Sequence, residues 1–222
     1  MSSDIRDPSA TIRKDIARVS AADVKAASGL GVASLHEAAG KIGVLPSAIK
    51  PVTRGLTLCG PAVTVSAPGG DNLWFHRAIY QAQPGDVLVV HVGNHYDHGY
   101  WGEVMSTAAQ ARGLGGLVVD GCVRDGVLLE EIGFPVWARG LCIRGTGKDF
   151  GAIGWINAPI IMGGTVVQPG DLIVGDGDGV VCIPRERASD VIAAAAKREA
   201  DELEICDRLR GGATTLDIYG WY

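Results

Sequence analysis

Short apolar runs alternate with segments of helical periodicity along the middle of the chain. The apolar runs are of buried-strand type, and they are 87–92, 117–119, a run at 136, 160–162, 172–174 and 180–183. The periodic segments predict helices that open at Ser20 and cover 34–41, 73–81, 104–111 and 185 to about 209. Segment 55–65 alternates and predicts strands broken by a Gly60-Pro61 turn. This interleaving is typical of an α/β fold.

No shift in composition divides the chain, so we expect one domain over residues 16–222, with a C-terminal helix from about residue 185. Residues 1–15 are polar and are predicted to be a partly ordered N-terminal segment. Two Pro-Gly-Asp turns, at Pro84 and Pro169, each precede an apolar strand. The glycine-rich segment 175–179 is expected to form a hairpin turn.

Composition narrows the function classes. The 222 residues include 32 glycines, 47% are hydrophobic and 20% are charged, as in a compact globular protein with many turns. A net charge of −5 disfavours nucleic-acid binding, which needs a basic face. No apolar run reaches the length of a membrane helix, and the polar start lacks a signal-peptide core. We therefore expect a cytoplasmic protein with neither nucleic-acid nor membrane partners.

Several familiar site patterns fail on their spacing. The five cysteines are scattered and form no Cys-x-x-Cys pair, and segment 145–149 lacks the glycine and Ser/Thr positions of a phosphate loop around Lys148. His91, His95 and His98 lack a fourth ligand for zinc, so we expect them to line the mouth of a site. His36 and His76 are expected to be structural. No lysine lies in an apolar strand, which disfavours a Schiff-base mechanism.

The stretch 99–125 carries the chemistry. Glu103 follows two glycine-flanked aromatics at the start of a predicted helix, and Arg124-Asp125 follows the strand after it. A helix followed by an adjacent strand returns the chain to the edge it left, so these residues can meet. Asp125 is an oxygen ligand suited to Mg²⁺, Arg124 is a guanidinium suited to an oxyanion, and Glu103 can orient a water. The alternative is a surface ion pair beside a solvated helix start.

Glu103, twenty intervening residues and Arg124-Asp125 resemble the acidic-X20-Arg-Asp signature of a family of class II pyruvate aldolases. These enzymes cleave 4-hydroxy-4-methyl-2-oxoglutarate and 4-carboxy-4-hydroxy-2-oxoadipate, and they share a fold with the RraA-like regulators of ribonuclease E. Further segments from about residue 16 to 219 also resemble this family. They are 32–38, 68–72, 85–90, 133–138, 169–171, 178–181 and 216–219.

The resemblance implies a β-rich α/β sandwich of one domain, in which helices flank a mixed sheet, assembled as a trimer or hexamer with sites between subunits. It implies a retro-aldol lyase that releases pyruvate and a second 2-oxo acid. Mg²⁺ or Mn²⁺ would be held by Asp125 and waters, and Arg124 would stabilise the enolate oxygen. The backbone around Gly102, Val104 and Met105 would bind the pyruvyl carboxylate at a helix start.

The remaining implied roles belong to Glu103, Glu202 and Asn72. Glu103 would order the water that removes the C4 hydroxyl proton, and Glu202 would reach that water from a neighbouring subunit. The acidic cluster around Glu202 can equally be a solvated helix face. Asn72, in a glycine-rich loop, would help to shape the pocket.

Two alternatives stay open. Oxaloacetate decarboxylation passes through the same enolate and could be the main activity. The chain could also be a non-catalytic RraA-like regulator of a ribonuclease, although the acidic position of the signature, Glu103, favours an enzyme. Many of the aldolases carry aspartate there, so the longer glutamate leaves the preferred substrate open.

Overall fold

The computed structural model describes residues 7–222, and over that range the chain forms one domain around a mixed sheet. The helices are α1 (Ala21–Ala27), α2 (Val32–Ala38), α3 (Leu73–Gln81), α4 (Glu103–Ala111), α5 (Gly126–Ile132), α6 (Ala188–Arg210) and α7 (Thr215–Tyr219). Short 3-10 helices cover Pro8–Thr11 and Arg185–Arg187.

The strands are β1 (Lys50–Pro51), β2 (Leu58–Ser66), β3 (Val87–His91), β4 (Gly116–Val119), β5 (Cys122–Val123), β6 (Val136–Ala138), β7 (Gly140–Leu141), β8 (Trp155–Ile156), β9 (Ile160–Met162), β10 (Thr165–Val167), β11 (Leu172–Gly175) and β12 (Val180–Ile183). The main sheet has the order β1-β6-β4-β3-β2-β11-β12, and β8 also pairs with β2. The strands β2, β3, β4 and β6 are parallel, whereas β1, β8, β11 and β12 pair antiparallel. The predicted α/β fold, a mixed sheet flanked by helices in a single domain, is confirmed.

The parallel strands are apolar on both faces because both faces are covered. Leu88 and Val90 of β3 pack with the aromatic residues of α3, whereas Val87 and Val89 pack against residues around Trp137 and the β9–β10 hairpin. A third cluster joins β11 and β12 to α1, α2 and the first half of α6. A strand buried on both sides reads as a continuous apolar run rather than as an alternation.

Helices α3, α4 and α5 each connect one parallel strand to the next. The loops after β2, β3, β4 and β6 therefore lie together at the carboxyl edge of the sheet, the usual place for a ligand site in open α/β sheets. The two Pro-Gly-Asp turns lie instead directly before a strand, one before β3 and the other before β11. In each, the aspartate, Asp86 or Asp171, accepts a hydrogen bond from the backbone N–H three residues earlier.

Two local predictions are wrong. Strand β2 runs unbroken through Gly60-Pro61, because β2 changes partner there, from β11 up to Pro61 to β3 from Ala62. Helix α2 begins at Val32, not at the predicted residue 34. Its first N–H groups are capped from a distance, by Glu199 on Gly31 and by Asp176 on Val32.

The segment 1–15 was predicted to be partly ordered, and its first six residues lie outside the described part of the chain. From residue 7 onward it forms the first 3-10 helix and then contacts the sheet, since the Arg13 N–H donates to the Ile156 carbonyl at 3.1 Å. The C-terminal helix begins with the turn at 185–187 and continues as α6 to Arg210. In the described part of the chain, no helix is both long and apolar enough to cross a membrane.

Candidate active site

A pocket of about 270 Å³ opens at the carboxyl edge of the parallel strands. Its walls come from the loops after β2, β3, β4 and β6, together with the first turns of α3 and α4. The lining residues are Asn72, His76, Gly99, Tyr100, Trp101, Gly102, Val104, Met105, Arg124, Asp125 and Lys148. All but one of the predicted site residues on α4, on the Arg-Asp pair and at the start of α3 therefore share this pocket, and the exception is Glu103.

Asp125 joins the two halves of the signature. Its Oδ2 accepts a hydrogen bond from the Glu103 N–H at 3.1 Å, and the Arg124 Nε lies 3.7 Å from the same oxygen. Asp125 has φ of +60°, a left-handed conformation that is uncommon for a residue with a side chain and is often found at functional sites. The chain thus adopts a strained turn that directs this carboxylate to the start of α4.

Gly102 is required by the position of that carboxylate. A Cβ added at Gly102 would lie 2.2 Å from Asp125 Oδ2 and 3.2 Å from the Arg124 Cγ. The backbone of Gly102 is extended, with φ of −159°, so the constraint is space and not conformation. Gly99 is similarly confined, since its Cβ would lie 2.5 Å from the Cys142 carbonyl oxygen. The two glycines flanking the buried Tyr100-Trp101 pair let the Arg-Asp turn approach α4.

The first turn of α4 offers backbone donors to the pocket. The Glu103 N–H bonds to Asp125, whereas the N–H groups of Val104 and Met105 have no acceptor among residues 7–222. The N-cap residue of this nine-residue helix, Gly102, has no side chain that could accept from them. Free N–H groups and the positive end of the helix dipole favour an anion at this position.

Asn72 lines the pocket beside the start of α4. Its Nδ2 donates to the Tyr100 carbonyl at 2.9 Å and contacts the Met105 sulfur at 3.7 Å. Its Oδ1 is buried and has no donor within the described chain. The Tyr100 hydroxyl holds the same loop, accepting from the Gly70 N–H at 2.8 Å and donating to the His95 carbonyl at 2.6 Å. The Asn72 side chain is therefore held in place beside Tyr100 and Met105, and its Oδ1 is a buried acceptor without a partner in the described chain.

Two further lining residues, His76 and Lys148, did not emerge as site residues from the sequence. His76 lies one helical turn after Asn72 and lines the pocket, so the expectation that it is only a structural residue is wrong. Burial lowers the pKa of His76, and the charge of Lys148 lowers it further, while Asp71 acts in the opposite direction. The helical spacing from Asn72 to His76 was a signal for His76, but nothing in the spacing pointed to Lys148.

The two predicted acidic site residues, Glu103 and Glu202, differ in their position relative to the pocket. The Glu103 side chain is exposed at the rim and has no described partner, and it reaches the site through its backbone. Glu202 lies on α6, away from this pocket, and pairs with Arg198 at 2.8 Å. Within the same acidic cluster, Glu199 is already engaged as the cap of α2. Glu202 is thus free of such a structural role, and its place in a site stays a prediction.

The donor set suits a weakly held, hydrated divalent cation. Asp125 contributes the one carboxylate that lines the pocket, and no group of three or more metal-ligating side chains exists among residues 7–222. Mg²⁺ commonly binds to proteins through one or two carboxylates and retains several waters. A closed zinc site, by contrast, needs four protein ligands.

The three neighbouring histidines do not line the pocket, so that expectation is wrong. His91 lies beside buried Asp120, with 3.9 Å between its Nδ1 and the carboxylate. His95 packs against Gly69, and His98 packs against Gly70 and the Tyr100 ring. His95 and His98 support the 68–72 loop, because its glycines leave space for their rings.

A family model described as RraA-like, Aldolase/RraA, matches residues 16–182. A protein of Halalkalibacterium halodurans named "Putative 4-hydroxy-4-methyl-2-oxoglutarate aldolase" is 40% identical over 158 residues, which are 71% of this chain and 74% of that protein. A solved structure of an uncharacterized protein from Pseudomonas syringae pv. tomato is similar with a TM-score of 0.81 and 28% identity, over 94% of this chain and 97% of that one. Streptomyces coelicolor RraAS2, described as an unusual member of the RNase ES inhibitor RraA protein family, is similar with a TM-score of 0.72 and 25% identity, over 87% of this chain and 99% of that one.

Proposed function

Because the chain belongs to the RraA-like family, we propose that it is a metal-dependent class II pyruvate aldolase. The reaction is retro-aldol cleavage of a 4-hydroxy-2-oxo acid, such as 4-hydroxy-4-methyl-2-oxoglutarate or 4-carboxy-4-hydroxy-2-oxoadipate, to pyruvate and a second 2-oxo acid. The observation that carries the proposal is the convergence of Arg124, Asp125 and the free N–H groups of α4 on one pocket.

The pyruvyl half of the substrate fits the α4 side of the pocket. Its carboxylate would accept hydrogen bonds from the Val104 and Met105 N–H groups, which otherwise lack acceptors within the described chain. Arg124, whose side chain is half-exposed into the pocket, would donate to the 2-oxo oxygen. Mg²⁺ or Mn²⁺, bound by Asp125 and water, would supply Lewis-acid stabilisation of the same oxygen.

The cleavage step requires that the enolate oxygen is stabilised and that the C4 hydroxyl loses its proton. The C3–C4 bond breaks, its electron pair passes to the pyruvate enolate, and the C4 hydroxyl loses its proton and becomes a carbonyl. Glu103, at the rim, would order the water that receives this proton. The enolate takes a proton at C3 to give pyruvate, and Arg124 stabilises its oxygen until then.

The decisive test measures pyruvate released from 4-hydroxy-4-methyl-2-oxoglutarate, with Mg²⁺ or Mn²⁺ and then with excess chelator. Asp125→Asn is the matched variant, because asparagine has the same shape and tolerates the left-handed conformation. Asp178→Asn, on the exposed β11–β12 turn, is the control. We expect metal-dependent release by wild type and by the control, and its loss in Asp125→Asn.

Other outcomes redirect the assignment. Cleavage that persists in chelator would exclude metal dependence. Release of CO₂ from oxaloacetate without aldol cleavage would identify a decarboxylase that uses the same enolate. A folded protein inactive on both substrates would favour a regulator over an enzyme, in line with the inhibitor family to which the Streptomyces protein is assigned.

We further propose self-association as a trimer or hexamer, with Glu202 completing a neighbour's site. The half of α6 that carries Glu202 supports this, since its buried residues end at Ala195 and Leu203 is 67% exposed. The test mixes two inactive variants, Asp125→Asn and Glu202→Gln. Shared sites predict that activity returns when subunits exchange, because some sites regain both acids. A monomer on light scattering, or no recovery in exchanged oligomers, would refute it.

A further inference from the structure

We infer that Ser106, on α4, is a positioning residue for the proposed reaction and acts through a hydrogen bond with the Trp101 indole. The inference rests on the proposed aldolase function and gives a role to a residue outside the lining of the pocket. Ser106 fixes the first turn of α4 and leaves the Val104 and Met105 N–H groups free for the substrate carboxylate.

The bond between Trp101 and Ser106 is short and lies inside the protein. The indole Nε1–H donates to the Ser106 Oγ at 2.6 Å, and both residues are 0% exposed. An indole N–H is only a donor, and a buried one requires an acceptor. Within the described chain this acceptor is the Ser106 hydroxyl, so the serine satisfies a group that would otherwise be buried without a partner.

The two residues occupy the positions that fix how a chain enters a helix. With Gly102 as the N-cap, Trp101 is the residue before the cap and Ser106 is the fourth residue of the helix. A side-chain contact between these two positions fixes the entry angle, and it is often a contact between two apolar side chains. In α4 a hydrogen bond joins them instead, through a serine whose helix propensity is below that of alanine.

The pair stabilises the start of α4 without using its free N–H groups. The usual N-cap side chains, those of serine, threonine, aspartate and asparagine, accept from the N–H of the second or third helical residue. In α4 these residues are Val104 and Met105, the donors proposed for the pyruvyl carboxylate. Since Gly102 has no side chain for this purpose, the bond from Trp101 to Ser106 stabilises the helix start, and both donors stay available.

Trp101 also holds the Arg-Asp turn, so α4 and that turn share one anchor. Its carbonyl oxygen accepts a hydrogen bond from the Arg124 N–H at 2.8 Å. Its ring stacks on Phe134 with 6.0 Å between the ring centroids, and its centroid lies 6.5 Å from that of Phe75. Because these rings confine the indole, the bond to Ser106 sets the position of the α4 donors relative to Arg124.

The experiment removes this bond and compares the loss with that of a similar bond elsewhere. Ser106→Ala deletes the acceptor, and the double variant Trp101→Phe with Ser106→Ala deletes both partners, so that no buried group is left unpaired. Thr64→Val is the matched control, because the Thr64 hydroxyl is also buried and donates at 2.6 Å, to the Ala158 carbonyl. Thr64 aligns with Val89, whose side chain lies on the face of the sheet away from α4.

The assay measures kcat, KM and the inhibition constant of pyruvate in saturating Mg²⁺, and thermal unfolding of the same samples. The substrate, the enolate and pyruvate all carry the carboxylate that the α4 donors bind, so weaker donors affect ground and transition states alike. We expect Ser106→Ala to raise KM and the inhibition constant by about 10-fold, the equivalent of one charge-assisted hydrogen bond, and to change kcat much less. The double variant should regain stability but keep the raised KM, and Thr64→Val should keep the KM of wild type.

Amide hydrogen exchange tests the pair without any substrate. The Ser106 N–H donates to the Gly102 carbonyl at 3.0 Å and therefore reports the opening of the first turn of α4. Loss of a contact that stabilises a helix start should speed exchange across residues 106–109 by about 5- to 10-fold, in Ser106→Ala and in the double variant. Thr64→Val should leave exchange in α4 unchanged.

The outcomes separate this inference from the function on which it rests. Wild type that neither cleaves a 4-hydroxy-2-oxo acid nor binds pyruvate would remove the aldolase proposal, and the exchange rates would still decide whether the pair holds the start of α4. An active wild type whose KM rises equally in Ser106→Ala and Thr64→Val would overturn the positioning role, because a general loss of stability affects both. Unchanged KM, or unchanged exchange, in Ser106→Ala would overturn it as well.

Discussion

Gly102→Ala perturbs the site by one methyl group. The added Cβ would lie 2.2 Å from Asp125 Oδ2, where ordinary contact begins at about 3.4 Å, so the carboxylate must move by about 1 Å. The alanine itself is unstrained, because Gly102 is extended with φ of −159°. The change therefore acts on Asp125 and on its hydrogen bond with the Glu103 N–H, and leaves the backbone alone.

The magnitude follows from that displacement. A misplacement of about 1 Å in a positioned group costs on the order of 10²-fold in rate, so we expect kcat/KM for pyruvate release to fall at least that far. The substitution also weakens the hydrogen bond between Asp125 and the Glu103 N–H, whose contribution is reduced because Asp125 is 34% exposed. Alanine lowers the entropy of the unfolded chain, which offsets part of the loss, so the net cost in free energy of unfolding is about 1 kcal/mol. For a domain of this size that lowers Tm by about 2–4 °C.

The assay is coupled pyruvate detection over a Mg²⁺ titration, with thermal unfolding recorded on the same samples. Gly179→Ala is the control, because a Cβ there meets nothing within 4 Å. We expect Gly102→Ala to need more Mg²⁺ and Gly179→Ala to match wild type. Wild-type rates and Mg²⁺ dependence in a folded Gly102→Ala protein would refute the claim that this glycine sets the position of Asp125.

Three further predictions test other parts of the structure. Arg124→Lys keeps the charge and loses the planar guanidinium, so kcat should fall on the order of 10²-fold, as stopped assays would measure. The free energy of unfolding should change little, because this side chain is 51% exposed, and urea unfolding would measure it. Lys148→Met should raise the pKa of His76, because a positive charge beside it is removed; an NMR titration of the histidine ring that shows no change would place Lys148 too far away. Burial raises the pKa of Asp120, but His91 and Arg139, with Arg139 Nε at 2.6 Å, outweigh it and lower the pKa overall. Ionised Asp120 therefore stabilises the fold above its unfolded pKa of about 3.9, and this contribution is lost as the pH falls through the lower folded value. Asp120→Asn should cost about 3 kcal/mol at pH 7 and less at a pH below the folded pKa of Asp120, and an equal cost at both pH values in urea unfolding would contradict it.

Local pattern was sufficient for much of the fold. Helix α3 spans the predicted 73–81, and the apolar runs at 87–92 and 180–183 are strands β3 and β12. These elements are specified by neighbours in the chain, through periodicity and through turns such as Pro84-Gly85-Asp86. Prediction failed where the decisive partner is distant: α2 starts at Val32 because Asp176 and Glu199 cap it, and neither adjoins it in sequence.

The candidate site divides in the same way. The spacing from Glu103 to Arg124-Asp125 is a property of the sequence, because one helix and one strand return the chain to the same edge of the sheet. Tertiary structure alone decided that Asp125 contacts the Glu103 backbone rather than its side chain, and that Gly102 leaves room for it. It alone brought Lys148 to His76, through backbone bonds between two loops separated by more than seventy residues. Such bonds involve backbone N–H and carbonyl groups, which are common to all residues except for the missing N–H of proline. A pattern of residue types therefore does not predict them.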